Sequence, residues 1–292
     1  MTRPAIDPET RIGAVHLTVA SLDASIRFYE SHLGLVVHRR DGPTAALGVG
    51  AAGAPDLLRL SECERAPRVR GTTGLYHFAV LVPSRADLGR ALRRLVETGT
   101  VMQGAADHGV SEALYLADVD GNGIEIYRDR PRAEWPFVQG QLRMGADPLD
   151  FDELRSAADD AAGSQLARET TIGHVHLHVS ALDEAQRFYV DVLGFELMQR
   201  YGPSALFVSA GGYHHHIGLN TWAGVGAPPP PSGAIGLKHF DVRLPDAAAI
   251  DAVVERIRAA NIPLERGGGA VPAVLVSDPA GNVLRLTSAD IF

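Results

Sequence analysis

Residues 12–36 read IGAVHLTVASLDASIRFYESHLGLV, and residues 172–196 read IGHVHLHVSALDEAQRFYVDVLGFE. The two stretches align without a gap, place His16 on His176, and share an Arg-Phe-Tyr triplet and a Leu-Gly pair. Each begins with an alternating strand pattern and continues into apolar residues at helical spacing that stop at a glycine. The chain therefore contains at least one strand–helix unit that occurs twice.

The repetition continues along the chain. GLYHFAVLVP at 74–83 matches GLKHFDVRLP at 236–245, and DVDGNGIEIY at 118–127 matches DPAGNVLRLT at 278–287. Self-similarity in the same order over the whole chain indicates two homologous copies.

Each copy also divides into two similar parts. Residues 12–60 and 75–128 both read as a strand, a helix and further short strands broken by Gly and Pro. The pattern predicts an α+β fold of four βαβββ modules in two pairs. We expect one domain over residues 10–130, a linker with a short helix near 151–158 over residues 131–169, and a second domain over residues 170–290.

Composition excludes several classes of protein. The chain has 292 residues, 46% hydrophobic and 21% charged, with a formal net charge of −8. This acidic balance disfavours nucleic acid or an anionic membrane as a partner. A single cysteine, Cys63, excludes a disulfide framework and a thiolate zinc cluster. With no signal-peptide pattern and no apolar run long enough for a bilayer, we expect a cytoplasmic protein.

Three polar side chains occupy unusual places in the predicted strands. His16 and His77 lie on the less apolar faces of their strands, and Glu125 lies between Ile124 and Ile126. A carboxylate among apolar neighbours is costly unless it has a partner. Two imidazoles and a carboxylate on neighbouring strands would form a facial triad, which suits Fe(II) with open coordination positions.

A simpler explanation exists for each of these residues. An inward-facing His is often a hydrogen-bonded core residue, and Glu125 can pair with an arginine. The residues by themselves leave both interpretations open.

The order of these features resembles the vicinal oxygen chelate superfamily, which includes extradiol dioxygenases, glyoxalase I and antibiotic-resistance proteins. The resemblance rests on a strand with His, a helix with Arg-Phe-Tyr, a second half of the copy with another His, and a final strand with Glu. Two paired domains of this length resemble the extradiol ring-cleaving dioxygenases. The runs AGGYHHHIGLNTWAG at 210–224 and LDFDELR at 149–155 resemble their catechol 2,3-dioxygenase subgroup.

The resemblance implies the roles of five residues. His16, His77 and Glu125 would hold Fe(II), with Mn(II) as a possible replacement, and Tyr115 and His108 would contact substrate or oxygen. The implied fold is a cupped mixed sheet in each domain.

The second copy departs from the family pattern. It keeps His176 and His239 but has Arg285 where the family has Glu, and a guanidinium cannot bind a metal ion. We therefore expect the metal in the first copy. The best match to the family's acid–base histidine is His215, in the second copy, so the catalytic residues are divided between the copies.

The remaining histidines of the second copy allow two interpretations. They can form a second, all-histidine site, or they can form a polar cavity of hydrogen-bonded imidazoles or a vestigial site, which is the interpretation we favour. Two further histidines share a strand face with His176 and offer alternatives to it. The residues concerned are His174, His176, His178, His214, His215, His216 and His239.

The resemblance implies extradiol cleavage of catechol or a substituted catechol with O2, giving a 2-hydroxymuconic semialdehyde type product. Two other functions stay open: a glyoxalase-like metal enzyme and a non-catalytic protein that sequesters a ligand. Family habit and exposed edge strands also lead us to expect a homo-oligomer. The ring substituent of the substrate is not given by the sequence.

Overall fold

A computed structural model describes residues 5–158, 165–267 and 273–288. Four βαβββ modules are present in this part of the chain. The first contains β1 (Arg11–Val19), α1 (Leu22–Phe28, continued by a π-helical turn over Tyr29–Leu33), β2 (Val36–Asp41), β3 (Thr44–Gly48) and β4 (Asp56–Glu62). The second contains β5 (Gly74–Leu81), α2 (Arg85–Glu97), β6 (Met102–Asp107), β7 (Ser111–Ala117) and β8 (Gly123–Asp129).

The linker that follows has secondary structure of its own. It contains a 3-10 turn (Arg132–Glu134), β9 (Phe137–Val138), β10 (Gln141–Leu142) and α3 (Phe151–Ala157). The last of these is the short helix predicted near 151–158, which is confirmed. The Asp150 side chain caps α3 by accepting a hydrogen bond from the Glu153 backbone N–H.

The third and fourth modules repeat the order. The third contains β11 (Thr171–His178), α4 (Leu182–Gln186, continued by a π-helical turn over Arg187–Val192), β12 (Glu196–Tyr201), β13 (Ala205–Ser209) and β14 (Ile217–Asn220). The fourth contains β15 (Gly236–Leu244), α5 (Ala247–Ala259), β16 (Glu265–Gly267), β17 (Ala273–Ser277) and β18 (Val283–Ser288). The α+β class predicted from the sequence is confirmed.

The strands form two eight-stranded sheets. Their orders are β16-β17-β18-β15-β1-β4-β3-β2 and β12-β13-β14-β11-β5-β8-β7-β6. The first sheet thus combines the first and fourth modules, and the other combines the second and third. Homologous modules offer equivalent edge strands, so the sequence pattern does not say which two will pair. The domain bounds 10–130 and 170–290 stay a prediction.

Within a module the strand directions are mixed. In the second module, β5 pairs with β8 in parallel, and β7 pairs with β8 antiparallel. The helix between β5 and β6 supplies the crossover that a parallel pair requires. Its Ser84 N-cap, predicted from the sequence, is confirmed by a hydrogen bond from the Asp87 backbone N–H.

Contacts group the chain into two compact units. One unit contains residues 17–66 and 77–173. Inside it, the Tyr29 hydroxyl donates to Asp118 Oδ2 at 2.7 Å. Burial raises the pKa of both side chains, so this is a neutral phenol on a carboxylate that already accepts backbone N–H groups.

The other unit contains residues 1–16, 67–76 and 174–292, to the extent that they are described. It has the same internal bond, from the Tyr189 hydroxyl to Asp278 Oδ2 at 3.0 Å, and burial again raises the pKa of the tyrosine. The internal repeat of the sequence is therefore also a repeat of buried hydrogen bonds. Among the described residues, no helix is both long enough and apolar enough to cross a lipid bilayer.

Candidate metal centre

Two of the three expected metal ligands lie together. His77 Nε2 is 3.0 Å from Glu125 Oε2, and both side chains are buried. His174 completes a group of three, in which each residue offers a ligand atom within 4.8 Å of the others. Among the residues that the structure describes, this is the group whose geometry suits a metal ion.

The register of the second module explains the position of the carboxylate. Glu125 on β8 lies opposite Ala79 on β5 and opposite Tyr115 on β7. Ala79 has no group that could pair with a carboxylate, and the apolar side chains of Ile124 and Ile126 point to the other face of the strand. The fold thus buries Glu125 beside a small residue, with His77 two residues before Ala79 on β5.

A glycine determines how the strand of His174 is placed. A Cβ atom on Gly173 would lie 1.8 Å from the Tyr127 hydroxyl oxygen, so a side chain does not fit there. This close approach explains why a glycine, which is weak in a strand, precedes His174.

The donor set fits a first-row divalent ion. For metal–ligand bonds of about 2.1 Å, ligand atoms at right angles are about 3 Å apart and opposite ones about 4.2 Å apart. The separation of 3.0 Å between His77 and Glu125, and the limit of 4.8 Å for the group of three, agree with these spacings. Two imidazoles and one carboxylate leave positions open for a bidentate substrate and O2. The protein therefore has a site suited to a metal cofactor.

Tyr115 and His108, predicted as catalytic residues, form a hydrogen-bonded pair. The Tyr115 hydroxyl lies 2.6 Å from His108 Nε2. The ring centroids of Tyr115 and His77 are 5.7 Å apart. His108 Nδ1 lies 2.6 Å from the Gly145 carbonyl oxygen, which can only accept. We therefore assign the proton of the neutral imidazole to Nδ1, which makes Nε2 the acceptor for the Tyr115 hydroxyl.

The linker holds this pair in position. The backbones of Asp107 and Asp147 exchange two hydrogen bonds of 2.9 Å, and the Gly145 N–H donates to the His108 carbonyl. Burial would raise the pKa of Asp107, but hydrogen bonds from Arg130 and the Gly109 N–H hold it below its usual range. A segment predicted only as a connector thus supplies a carbonyl that orients His108. The sequence carries no signal for such a backbone contact.

His215, the predicted acid–base residue, packs against His174. Their ring centroids are 4.1 Å apart, and His215 is buried. His215 Nδ1 also lies 2.8 Å from Nδ1 of His214. The structure therefore groups His215 with a candidate metal ligand.

His216 has a different, structural environment. Its Nδ1 accepts a hydrogen bond from the Ala210 N–H at 3.1 Å and lies 3.0 Å from the Ser209 hydroxyl. Burial, with smaller contributions from Arg11 and neighbouring histidines, lowers the pKa of His216 to about 3. It is a neutral, hydrogen-bonded imidazole, as expected for the polar-cavity interpretation of this run.

His16, the third ligand expected from the sequence, is not part of the group. Its ring lies 4.7 Å from that of His239. In the fourth module, Arg285 Nη2 donates to Asp241 Oδ2 at 3.3 Å, and Arg285 Nε lies 3.0 Å from Asp241 Oδ1. The physical reason for the difference is the sheet order: β1 neighbours β15, whereas β5 neighbours β11, which carries His174. His174 is one of the alternatives that the sequence offers on the strand of His176.

Comparison with known proteins agrees with this geometry. The model of the Glyoxalase/Bleomycin resistance protein/Dioxygenase superfamily matches residues 11–126 and again residues 171–286. The chain belongs to this superfamily. The resemblance drawn from the sequence is thereby confirmed.

Individual relatives of this superfamily give more detail. A Bacillus subtilis protein named catechol-2,3-dioxygenase is 48% identical over 265 residues, which are 89% of this chain and 92% of that protein. A solved structure described as a putative dioxygenase from Bacillus subtilis aligns with this protein with a TM-score of 0.68 at 15% identity. The alignment covers 99% of this chain and 87% of that one. Glyoxalase I from Zea mays has a TM-score of 0.59 at 17% identity, covering 96% of this chain and 92% of its own. At these identities the two structures support the fold alone.

Proposed function

We propose that this protein is an extradiol dioxygenase that opens catechol or a substituted catechol with O2 to a 2-hydroxymuconic semialdehyde type product. The observation that carries the proposal is the buried group of His77, Glu125 and His174, with ligand atoms within 4.8 Å of one another. The relative named catechol-2,3-dioxygenase, 48% identical over most of both chains, supports the same reaction.

We propose Fe(II) as the metal, held by His77, Glu125 and His174, with Mn(II) as a possible replacement. A ferrous ion in this site would bind the diol oxygens and O2 together and transfer electron density between them. A reducing cytoplasm, which keeps iron ferrous, is the compartment we propose. We also propose a homo-oligomer, which size-exclusion chromatography with light scattering would test.

Tyr115 and His108 can move the proton of a substrate hydroxyl. With its own proton donated to His108 Nε2, the Tyr115 oxygen keeps lone pairs that can accept another hydrogen bond. A diol hydroxyl in contact with that oxygen can pass its proton to Tyr115 as Tyr115 passes its own to His108. The Gly145 carbonyl, already bonded to Nδ1, stabilises the imidazolium that results.

His215 is a further proton donor that we propose for the reaction. Its buried ring packs on that of His174, which places an imidazole near the ligand group. In the absence of bulk water, a positioned imidazole of this kind can protonate a leaving oxygen and then take the proton back.

Two other functions make different predictions. Four-ligand glyoxalase-like enzymes leave fewer open positions, whereas the group found among the described residues has three members. A sequestering protein needs no metal and would bind its ligand without changing it. Neither alternative requires the relay between Tyr115 and His108.

The test is to load the protein anaerobically with Fe(II), add catechol in air, and follow the yellow product. Glu125→Gln keeps the size of the side chain but removes the charge, and Arg285→Gln is a matched control at the equivalent position of the fourth module. We expect colour from the wild type and from Arg285→Gln, and none from Glu125→Gln. Colour from Glu125→Gln would contradict the site, and iron binding without cleavage of any catechol would contradict the reaction.

A further inference from the structure

The turn between β6 and β7, residues 107–111, carries His108 and is called the His108 turn below. A hydrogen bond of 2.8 Å from the His108 backbone N–H to the Ser111 carbonyl closes it. Inside the turn, Asp107 Oδ1 accepts a hydrogen bond from the Gly109 N–H at 2.8 Å. Gly109 has a φ of +75°, in the left-handed region that favours glycine. The turn therefore has a defined backbone conformation, and the Asp107 carboxylate is part of it.

Arg130, the residue that follows β8, bonds the His108 turn at two points. Its Nε donates to Asp107 Oδ1 at 3.2 Å, and its Nη2 donates to Asp107 Oδ2. Its backbone N–H donates to the Val110 carbonyl at 2.8 Å, and its own carbonyl accepts from the Trp135 indole N–H at 2.9 Å. A guanidinium that contacts both oxygens of a carboxylate fixes direction as well as distance. Arg130 thus holds residues that precede and follow His108 in the turn.

A buried carboxylate, Glu112, contacts the same guanidinium. Arg130 Nη2 lies 3.5 Å from Glu112 Oε1, and Glu112 Oε2 accepts from Arg128 Nε at 2.7 Å. Arg85 Nε donates to Glu112 Oε2 as well, at 2.9 Å. A buried carboxylate is stable only with partners of this kind, so Glu112 helps to fix the guanidinium beside Asp107. All these residues belong to the unit of residues 17–66 and 77–173.

The position of the turn decides which nitrogen of His108 carries the proton. Nδ1 lies 2.6 Å from the Gly145 carbonyl oxygen, which leaves Nε2 as the acceptor for the Tyr115 hydroxyl. If the turn moved away from that carbonyl, the imidazole could carry its proton on Nε2 instead. An Nε2–H group would donate to Tyr115 and could not accept the proton of its hydroxyl. The relay therefore depends on the turn staying beside Gly145.

We propose that Arg130 is a positioning residue of the proton relay, which acts by keeping the proton of His108 on Nδ1. It does so through Asp107, whose backbone exchanges two hydrogen bonds of 2.9 Å with that of Asp147. This pairing holds the turn beside Gly145, whose carbonyl binds Nδ1. The proposal rests on the proposed dioxygenase function, in which His108 is the proton acceptor.

The chain offers a matched control for Arg130. The side chain of Arg85 is 30% exposed and that of Arg130 is 25% exposed, and both contact Glu112. Among the described residues, the ion pairs of Arg85 are with Glu112 and Glu153, and it has none with Asp107. Arg130→Gln therefore removes the contact with the His108 turn, whereas Arg85→Gln removes a contact with Glu112 alone or with Glu153.

The first test measures kcat and KM for catechol in the wild type, Arg130→Gln and Arg85→Gln. We expect Arg130→Gln to lower kcat about tenfold, which is part of the factor of about 100 that a positioned acid–base group contributes. The KM should change less than about threefold, and Arg85→Gln should keep the wild-type kcat. Arg130→Lys, whose ammonium contacts a carboxylate at one point, should recover part of the loss.

The same test is repeated in a His108→Gln background. If Arg130 acts through His108, Arg130→Gln should lower kcat less than about twofold there. Equal losses in both backgrounds would show a general effect on the fold and would overturn the proposal, as would an unchanged kcat in Arg130→Gln alone. Asp107→Asn removes the same ion pair while its amide oxygen can still accept from the Gly109 N–H. It should reproduce the result, and it carries the test if Arg130→Gln does not fold.

The second test detects the proton on His108 without turnover, so it separates failure of this proposal from failure of the dioxygenase function. Two-bond 15N–1H correlation spectra distinguish an imidazole with its proton on Nδ1 from one with its proton on Nε2. They are recorded on the full-length protein with added Zn(II), which has no redox chemistry, and the spectrum of His108→Gln identifies the His108 signal. We expect the Nδ1–H form in the wild type and Arg85→Gln, and a mixture with the Nε2–H form in Arg130→Gln and Asp107→Asn. The Nδ1–H form alone in all four proteins, or the Nε2–H form in the wild type, would overturn the proposal whether or not catechol is cleaved.

Discussion

The second and fourth modules have the same parallel strand pair in the same register, and at one position of it the two facing residues differ in charge. In the second module, Ala79 on β5 lies opposite Glu125 on β8, and His77 stands two residues before Ala79. In the fourth module the same register sets Asp241 opposite Arg285. One pair combines a small residue with a carboxylate, and the other combines two opposite charges.

The two pairs have different chemical consequences. Glu125 Oε2 lies 3.0 Å from His77 Nε2. Both residues belong to the group whose geometry suits a metal ion. Arg285 instead forms an internal ion pair with the buried carboxylate of Asp241, at 3.0 Å. A guanidinium repels a metal ion, and here it also occupies the carboxylate that could replace the missing Glu. At equivalent positions of one strand pair, the fold thus accommodates a candidate metal ligand in the second module and an ion pair in the fourth.

The largest effect is expected for Glu125→Gln, which removes a charged ligand. Loss of groups that merely orient metal ligands costs 10–100-fold, so loss of a ligand should lower kcat/KM at least about 1000-fold. The same exchange at the equivalent position, Arg285→Gln, should leave bound metal unchanged. Elemental analysis and steady-state kinetics of both variants would check this, and metal loss in Arg285→Gln would break the comparison.

A smaller effect is expected in the proton relay. Tyr115→Phe should lower kcat about 100-fold with metal content unchanged, because a positioned acid–base group contributes at least that much. His108→Gln should act on the same step, so the double variant should lose little more than either single variant. Additive losses would show that Tyr115 and His108 act separately.

The ion pair of the fourth module should contribute to stability and not to catalysis. Arg285→Met leaves the buried carboxylate of Asp241 without its guanidinium and should lower the free energy of unfolding by about 2 kcal/mol, less than for a fully buried pair because Arg285 is partly exposed. Replacing both residues, as Asp241→Leu with Arg285→Met, should recover much of this loss. Urea unfolding of the metal-free wild type, Arg285→Met and the double variant would measure these differences. A double variant as unstable as Arg285→Met would contradict the prediction.

The last prediction concerns His216, which lies in the histidine run of the third module and outside the candidate metal group. Burial lowers the pKa of His216 to about 3 in the folded protein. Between pH 6.5 and 3, His216 is therefore protonated in the unfolded chain but neutral in the folded protein. Stability should therefore fall as the pH drops below about 6.5, by up to about 1.4 kcal/mol per pH unit from this residue. His216→Gln, whose amide oxygen can accept the same hydrogen bonds, should show a flatter profile between pH 6 and 4 in urea unfolding. An unchanged slope would assign the acid sensitivity to other groups.

Local sequence patterns were sufficient for much of this structure. The repeat, the α+β class and the cap at Ser84 follow from periodicity and residue type, and the choice of Glu125 follows from its place between two isoleucines. These features depend on neighbours in the sequence, and a single chain contains that information.

Features that depend on the pairing of strands far apart in the sequence could not be predicted from local sequence patterns. Four homologous modules have equivalent edges, so nothing in the pattern assigns β11, with His174, as the neighbour of β5. His174 and His176 share a strand face, and only the register of the sheet distinguishes them. The contact of His108 with the Gly145 carbonyl is also invisible to sequence, because every residue has a carbonyl group.

We propose that His174 binds the metal together with His77 and Glu125, and that His16, whose ring lies 4.7 Å from that of His239, is not a ligand. The most direct measurement is the iron content of His174→Ala and His16→Ala after anaerobic loading with Fe(II), beside the wild type. We expect His16→Ala to retain the iron of the wild type and His174→Ala to lose it. Loss of iron in His16→Ala with full retention in His174→Ala would show that His16, and not His174, is the ligand.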